Sequence, residues 1–155
     1  QYAGEYNGAT IYVDYAHKPE ALEVILKSLR QNCQGKLHVL FGCGGNRDKG
    51  KRPIMGEIAG KYADIITITD DNPRHEDPAE IRKQIVQACP KSIEIGDRAE
   101  AIRHAISQLK KNDILVLAGK GHEEYQVIGD KKIHFSDMEE AKKYTQITNP
   151  FSDLE

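Results

Sequence analysis

The sequence predicts an α/β fold, a mostly parallel sheet with helices on both faces. Short β-prone runs alternate with amphipathic helical patterns along the chain, joined by short loops, which is the signature of βαβ units. The polar and glycine-rich loops all fall where a strand passes into a helix, at residues 14–19, 42–52, 70–74 and 119–124. The helix-to-strand connections, around Gln34-Gly35, Tyr62 and Asn112, are plain. In such Rossmann-like sheets ligands bind outside the carboxyl ends of the strands, so this one-sidedness points to a binding face.

Thr10-Ile11-Tyr12-Val13 is the first β-prone run. It ends in Asp14-Tyr15-Ala16-His17-Lys18-Pro19, and Pro19 suits the first turn of a helix. Leu22, Ile25, Leu26, Leu29 and Cys33 recur at helical spacing, and Gly35 is expected to close that helix. Residues 36–41 form the next strand. Pro53 is expected to open a second helix, with Ile54, Ile58 and Tyr62 aligned and Met55 and Ala59 beside them. Residues 64–69 read as a buried strand. Asp77-Pro78 supplies an N-cap and a first helical residue, ahead of an inward face of Ile81, Ile85, Val86 and Cys89. A short strand at 91–95 precedes a helix capped by Asp97, with Ala101, Ile102, Ala105, Ile106 and Leu109 as its stripe. Residues 113–118 are the most apolar strand. Gly129-Asp130 sits between two β-prone runs and signals a hairpin, expected to add an antiparallel strand at the sheet edge near the C-terminus. Asp137 is expected to cap a last helix. Residues 148–155 read as a polar, frayed tail, leaving 1–147 as one domain.

The 155 residues suit a single domain with a sizeable core, and 39% hydrophobic with 30% charged residues fits a soluble protein. A net charge of −2 gives no reason to expect a nucleic-acid or membrane partner, and no apolar run approaches spanning length. Cys33, Cys43 and Cys89 are widely spaced and odd in number, as for free thiols in a reducing cytoplasm.

The loop Asp70-Asp71-Asn72-Pro73-Arg74 concentrates charge behind a proline that restricts both itself and Asn72. A stiff loop can hold Arg74 in one place, and a guanidinium suits gripping a carboxylate. Taken alone, the loop reads as an ordinary strand-to-helix turn. The loop 42–52 has P-loop spacing in Gly45…Gly50-Lys51, but Arg52 stands where a magnesium-binding Ser or Thr is needed. Gly42-Cys43-Gly44 begins a dinucleotide fingerprint whose third glycine position is Arg47. What remains is a flexible loop with four cations, Arg47, Lys49, Lys51 and Arg52, expected to be mobile without ligand. It is either a solvated loop or an anion receptor with Arg47 at its centre. Glu123 could take an ammonium beside Gly119, while Lys120 reads as a surface lysine and His122 as a loop histidine. Asp14 and His17, at a strand end, could contact a nucleotide. No His, Cys and carboxylate cluster has metal spacing. Arg47 and Arg74 for a carboxylate, with Glu123 for an ammonium, suit a small zwitterion.

Four motifs in order resemble the C-terminal domain of the Mur ligases over about Gly8 to Tyr144. They are Asp14-Tyr15-Ala16-His17-Lys18-Pro19, the run from Phe41 to Pro53, Asp71-Asn72-Pro73-Arg74, and Ala118-Gly119-Lys120-Gly121-His122-Glu123. The nearest resemblance is to the branch that adds meso-diaminopimelate to UDP-N-acetylmuramoyl-L-alanyl-D-glutamate in peptidoglycan synthesis. The resemblance implies a cytoplasmic ligase that uses ATP and Mg2+ to form an acyl phosphate, with UDP-sugar and ATPase domains outside this chain. It implies that Arg47, Asp71, Asn72, Pro73, Arg74, Gly119 and Glu123 hold diaminopimelate and that Asp14 and His17 lie near the nucleotide. It assigns no catalytic residue to this chain, which would be inactive alone. The lysine-adding relatives typically lack the arginine at the position of Arg74. A lysine- or other diamino-acid-adding enzyme, and a stand-alone module binding an anion or a partner, are the alternatives.

Overall fold

A computed structural model describes residues 1–145. The chain runs β1 (Tyr2–Tyr6), β2 (Ala9–Asp14), α1 (Pro19–Gln31), β3 (Leu37–Phe41), α2 (Lys51–Tyr62) and β4 (Ile65–Ile68). It continues with α3 (Pro78–Val86), β5 (Ile93–Glu94), α4 (Arg98–Ser107), β6 (Ile114–Ala118), β7 (Tyr125–Ile128), β8 (Lys131–His134) and α5 (Asp137–Lys142). Six strands form one sheet in the order β1-β2-β6-β3-β4-β5, and every pairing except β1 with β2 is parallel. The expected α/β class, parallel sheet and terminal hairpin are all present.

The central strands explain the layering. All five residues of β3 and all five of β6 are buried, which requires cover on both faces. One face packs against α1, α2 and α3 through Leu22, Leu26, Met55, Ala59, Ile81 and Ile85. The other packs against α4 and α5 through Ala101, Ile102, Ile106 and Ala141. After β5 the chain returns through α4 and inserts β6 between β2 and β3. The carboxyl ends of β2, β6, β3 and β4 are therefore neighbours, and all four unusual loops meet at one end of the sheet. No helix among the described residues is long and apolar enough to cross a membrane.

Several local expectations are corrected. The hairpin β7-β8 does not join the main sheet but forms a separate ribbon. The antiparallel edge strand is β1, at the other end of the chain. Asn7 and Gly8 both take positive φ, 54° and 82°, and turn β1 into β2. Asn-Gly is the pair that a two-residue hairpin turn of this kind favours. Helix α2 begins at Lys51 and buries Arg52, Met55, Gly56 and Ala59, leaving Ile54 47% exposed. The inward face is one residue round from the Ile54-Ile58-Tyr62 row because α3 passes close to Gly56, where a Cβ would lie 2.6 Å from the Ile85 carbonyl oxygen. Helix α1 ends at Gln31, and Gly35 has another role. Its N–H donates to the Asn112 carbonyl at 2.9 Å, and a Cβ would lie 2.4 Å from Asp113 Oδ1. Ser136, not Asp137, caps α5, with its Oγ accepting from the Glu139 N–H. The tail expected at 148–155 lies outside the described residues.

Candidate functional site

The four loops enclose an open cavity of about 730 Å3 at the carboxyl ends of the strands. His17 lines it from the loop after β2, Arg47 from that after β3, Asp71, Asn72 and Arg74 from that after β4, and Gly119 and Glu123 from that after β6. Seven of the nine site residues expected from sequence thus meet in one cavity. Pro73 and Asp14 do not line it. Pro73 is buried in the loop it stiffens, and the Asp14 carboxylate accepts from the Ala16 N–H at 2.9 Å, turning the chain out of β2.

The loops after β3 and β4 are interlocked. The Gly45 N–H donates to the Asn72 carbonyl at 2.8 Å, and Arg74 Nη1 donates to the Gly45 carbonyl at 2.9 Å. Two glycines of the first loop serve this close approach: a Cβ on Gly42 would lie 2.2 Å from the Thr69 carbonyl oxygen, and one on Gly45 only 1.8 Å from that of Pro73. Of the four cations counted in the loop, Arg52 is not available to a ligand. It is fully buried and donates to both oxygens of Glu76 (3.0 and 3.1 Å), to Gln84 Oε1 (3.1 Å) and to the Gly44 carbonyl (2.9 Å). The Arg52 guanidinium, helped by the Asn46 N–H, pulls the Glu76 carboxyl down to about 2. Lys51 is also engaged, donating to the His17 carbonyl at 3.1 Å. Arg47 remains exposed, and its only hydrogen bond among the described residues goes to the neighbouring Asn46 carbonyl.

Arg74 is a non-glycine residue at φ 54°, a left-handed conformation costing about 1–2 kcal/mol. The hairpin holds it there. The Arg74 N–H donates to the Val127 carbonyl at 3.0 Å, and the Gly129 N–H donates to the Arg74 carbonyl at 2.6 Å. Only Nη1 of its guanidinium has a protein acceptor among the described residues, so the remaining N–H groups are free for a ligand. The two adjacent aspartates diverge. Asp70 turns to Arg82 at 2.5 Å, while Asp71 faces the cavity. Gly119 sits at φ 112°, and a Cβ there would have only Asp71 Oδ2 (3.7 Å) and the Ala16 carbonyl oxygen (4.0 Å) nearby. Space is available at Gly119, so the backbone angle is what restricts the position to glycine.

Two residues under the cavity were not expected. Lys120 is fully buried, with Nζ donating to Asn72 Oδ1 at 3.0 Å and the Tyr125 carbonyl at 2.9 Å. It also lies 3.0 Å from Asp71 Oδ1, out of line for a hydrogen bond, and 3.7 Å from Glu123 Oε1. A lysine between two glycines directly after an all-apolar strand was the available signal, since that strand ends inside the molecule. Arg98, also fully buried, makes a two-point pair with Asp137 at 2.8 and 2.7 Å. It donates as well to the carbonyls of Asp70 (3.1 Å) and Ala118 (3.2 Å), the residues just before Asp71 and Gly119. Cys43 lies beneath the loop against Met55, and burial pushes its thiol up to about 12, so it is no nucleophile. No group of three or more His, Cys, Asp or Glu among the described residues could hold a metal. With Arg52 buried where a phosphate loop needs a hydroxyl, this loop does not fit a magnesium–nucleotide grip.

The guanidinium groups of Arg47 and Arg74 and the carboxylates of Asp71 and Glu123 thus line one cavity. A family profile described as "Mur ligase, glutamate ligase domain" matches residues 1–121. The chain belongs to the Mur ligase family. This Mur ligase domain is 57% identical over 136 residues to the UDP-N-acetylmuramoyl-L-alanyl-D-glutamate--2,6-diaminopimelate ligase of Agrobacterium fabrum, covering 88% of this chain and 28% of that protein. It is 53% identical over 148 residues to the ligase of the same name from Rickettsia conorii, covering 93% of this chain and 31% of that protein. The chain thus spans under a third of the length of these curated relatives. A solved structure of a UDP-N-acetylmuramoyl-L-alanyl-D-glutamate--2,6-diaminopimelate ligase superposes with a TM-score of 0.88 at 40% identity, covering 93% of this chain and 30% of that one.

Proposed function

We propose that this chain is the amino-acid-receiving domain of an ATP-dependent ligase that joins meso-diaminopimelate to the D-glutamate carboxyl of UDP-N-acetylmuramoyl-L-alanyl-D-glutamate. The observation that carries this reading is the presence of guanidinium and carboxylate groups in one cavity. Arg47 and Arg74 offer free guanidinium N–H groups, and Asp71 and Glu123 offer carboxylates within the same walls. Diaminopimelate ends in a carboxylate and an ammonium on one carbon, and each finds a partner of opposite sign here. Its other amine is left to point out of the open cavity toward an acyl group. Lysine lacks the second carboxylate and would leave Arg74 without its partner. ATP and Mg2+ belong to the ligase as a whole and, when bound, would supply the phosphoryl group that activates the D-glutamate carboxyl. This chain's residues bind and orient the amine, which accelerates reaction by proximity. Asp14 and His17, in and after the end of β2, would on this reading lie near the nucleotide, His17 by way of the cavity it lines. On this reading residues 1–147 form one domain of a larger cytoplasmic enzyme.

The test is Arg74→Ala in the intact ligase, assayed with diaminopimelate and with lysine. Loss of a charge-assisted two-point contact should lower kcat/KM for diaminopimelate by roughly 1.5–3 kcal/mol, or about 10- to 150-fold, with little change for lysine. Equal losses with both amino acids would remove the carboxylate-clamp assignment. The homologous names support diaminopimelate over lysine, and the left-handed backbone that the hairpin imposes on Arg74 supports a dedicated role for that side chain.

A further inference from the structure

Lys120, buried behind the cavity-lining Asp71, Asn72 and Glu123, is the unexplained feature of this region. A buried ammonium is costly unless oxygen atoms surround it. Here four do, and they come from three segments. Asn72 Oδ1 and Asp71 Oδ1 belong to the loop after β4, Glu123 Oε1 to the loop after β6, and the Tyr125 carbonyl to β7. Asn72 Oδ1 is shared with the Val127 N–H at 3.0 Å, and Gln126 Nε2 donates to the Asp71 carbonyl at 2.6 Å. The ammonium thus ties together the two loops that carry acidic groups and the strand that holds Arg74.

The carboxylates are left incomplete. Among the described residues neither the Asp71 nor the Glu123 side chain accepts a hydrogen bond from any donor. Lys120 sits behind one oxygen of each, and Asp71 Oδ2 lies on the Gly119 side of the cavity. The charges also balance. Two carboxylates and one ammonium leave a net charge of −1, the complement of a single ligand ammonium. The other fixed charges below are already satisfied, because Arg98 is neutralised by Asp137 with both side chains fully buried. Arg74, on the same loop as Asp71, is bonded to the Gly45 carbonyl.

We propose that Lys120 is a positioning residue, an internal counter-ion that holds Asp71 and Glu123 as the receptor for the distal ammonium of the incoming diamino acid. The inference rests on the substrate reading above and deepens it. Lys120 touches no substrate atom. It acts through the two carboxylates and through Asn72. The alternative is a lysine that merely braces the fold.

The experiment uses the intact ligase, with wild type, Lys120→Met, Lys120→Gln, Glu123→Gln and the Lys120→Met/Glu123→Gln double variant. KM for diaminopimelate, KM for ATP, kcat and the melting temperature are measured for each. Lys120→Met should raise the diaminopimelate KM about tenfold or more, with the ATP KM changed less than about twofold. In the Glu123→Gln background the same substitution should cost at least about threefold less, because groups in contact couple. Lys120→Gln, which can still donate to Asn72 and Tyr125 but carries no charge, should follow Lys120→Met. Independent multiplication of the single effects overturns the proposal. So does a parallel rise in both KM values, or loss of folded protein in both lysine variants, which would assign a bracing role alone. Wild-type enzyme that does not use diaminopimelate refutes the substrate reading itself and this inference with it. Wild-type activity with an unaffected Lys120→Met refutes only the inference.

Discussion

Replacing Arg98 with Met should destabilise the domain far more than an average substitution. The side chain is fully buried, and its guanidinium makes two bonds to Asp137 and one each to the carbonyls of Asp70 and Ala118. Met fills much of the volume but leaves the Asp137 carboxylate in the interior with no cation. Removing one partner of a buried ion pair costs about 3–5 kcal/mol. A domain of this size has about 5–15 kcal/mol in total, so the variant should be near the edge of folding at 37 °C. In urea, with a slope of about 2 kcal/mol per molar, the midpoint should fall by about 1.5–2.5 M. The double variant Arg98→Met/Asp137→Leu strands no charge and should recover part of that loss. It cannot recover all of it, because the Asp70 and Ala118 carbonyls still lose their donor at about 1 kcal/mol each. Urea unfolding followed by circular dichroism measures all three proteins. A single variant that costs less than about 1 kcal/mol, or a double variant no better than the single, would refute the claim that a dry ion pair anchors the strand ends.

The Glu76 carboxyl is held at about 2 by Arg52 and the Asn46 N–H, below its ordinary 4.5, so its contribution is present above about pH 4.5 and is lost as pH falls toward 2. Glu76→Gln should therefore flatten the decline of stability over that window, and an unchanged slope in denaturation midpoints against pH would contradict the pairing. Gly45→Ala should force the loops after β3 and β4 apart, since its Cβ would sit 1.8 Å from the Pro73 carbonyl oxygen. A cost of about 1–3 kcal/mol is expected, with a raised KM for diaminopimelate in the intact ligase. An alanine variant with wild-type stability and KM would mean that the loops are not locked as described.

The parallel core was legible because its strands are apolar runs of strand length between amphipathic helices, and nothing in β3 or β6 competes with that pattern. The helix phase at α2 was not. Ile54 and Ile58 outweigh Gly56 on any hydrophobic pattern, yet the close pass of α3 selects the face that has no side chain at Gly56. The strand β1 was missed although Asn7-Gly8 announces a tight turn, because Tyr2–Tyr6 has few apolar residues to mark it. In the site, the residues that reach the cavity were readable from loop motifs at strand ends. The residues beneath it were not, because Lys120, Arg98 and Arg52 belong to the types most often found at the surface. Their burial depends on partners 39 residues away for Arg98 and 24 for Arg52, and for Lys120 on Asn72, 48 residues away, as well as the nearby Tyr125 carbonyl. No local spacing can report the distant partners.

These buried cations divide the cavity into a fixed half and a free half. Asp71, Asn72, Arg74 and Glu123 are held by Lys120, Arg98 and the hairpin, so a ligand group that meets them imposes little ordering cost. Arg47 stands exposed on its loop with one contact to its neighbour, and fixing it on a ligand costs about 0.5–1.5 kcal/mol in side-chain freedom. Discrimination should therefore reside in the fixed half, where a mismatched ligand leaves rigid charges without partners and they cannot relax away. The free half contributes attraction that tolerates variation in the ligand. On the proposed reading, Arg74 would govern which amino acid is accepted, and Arg47 how tightly any of them is held.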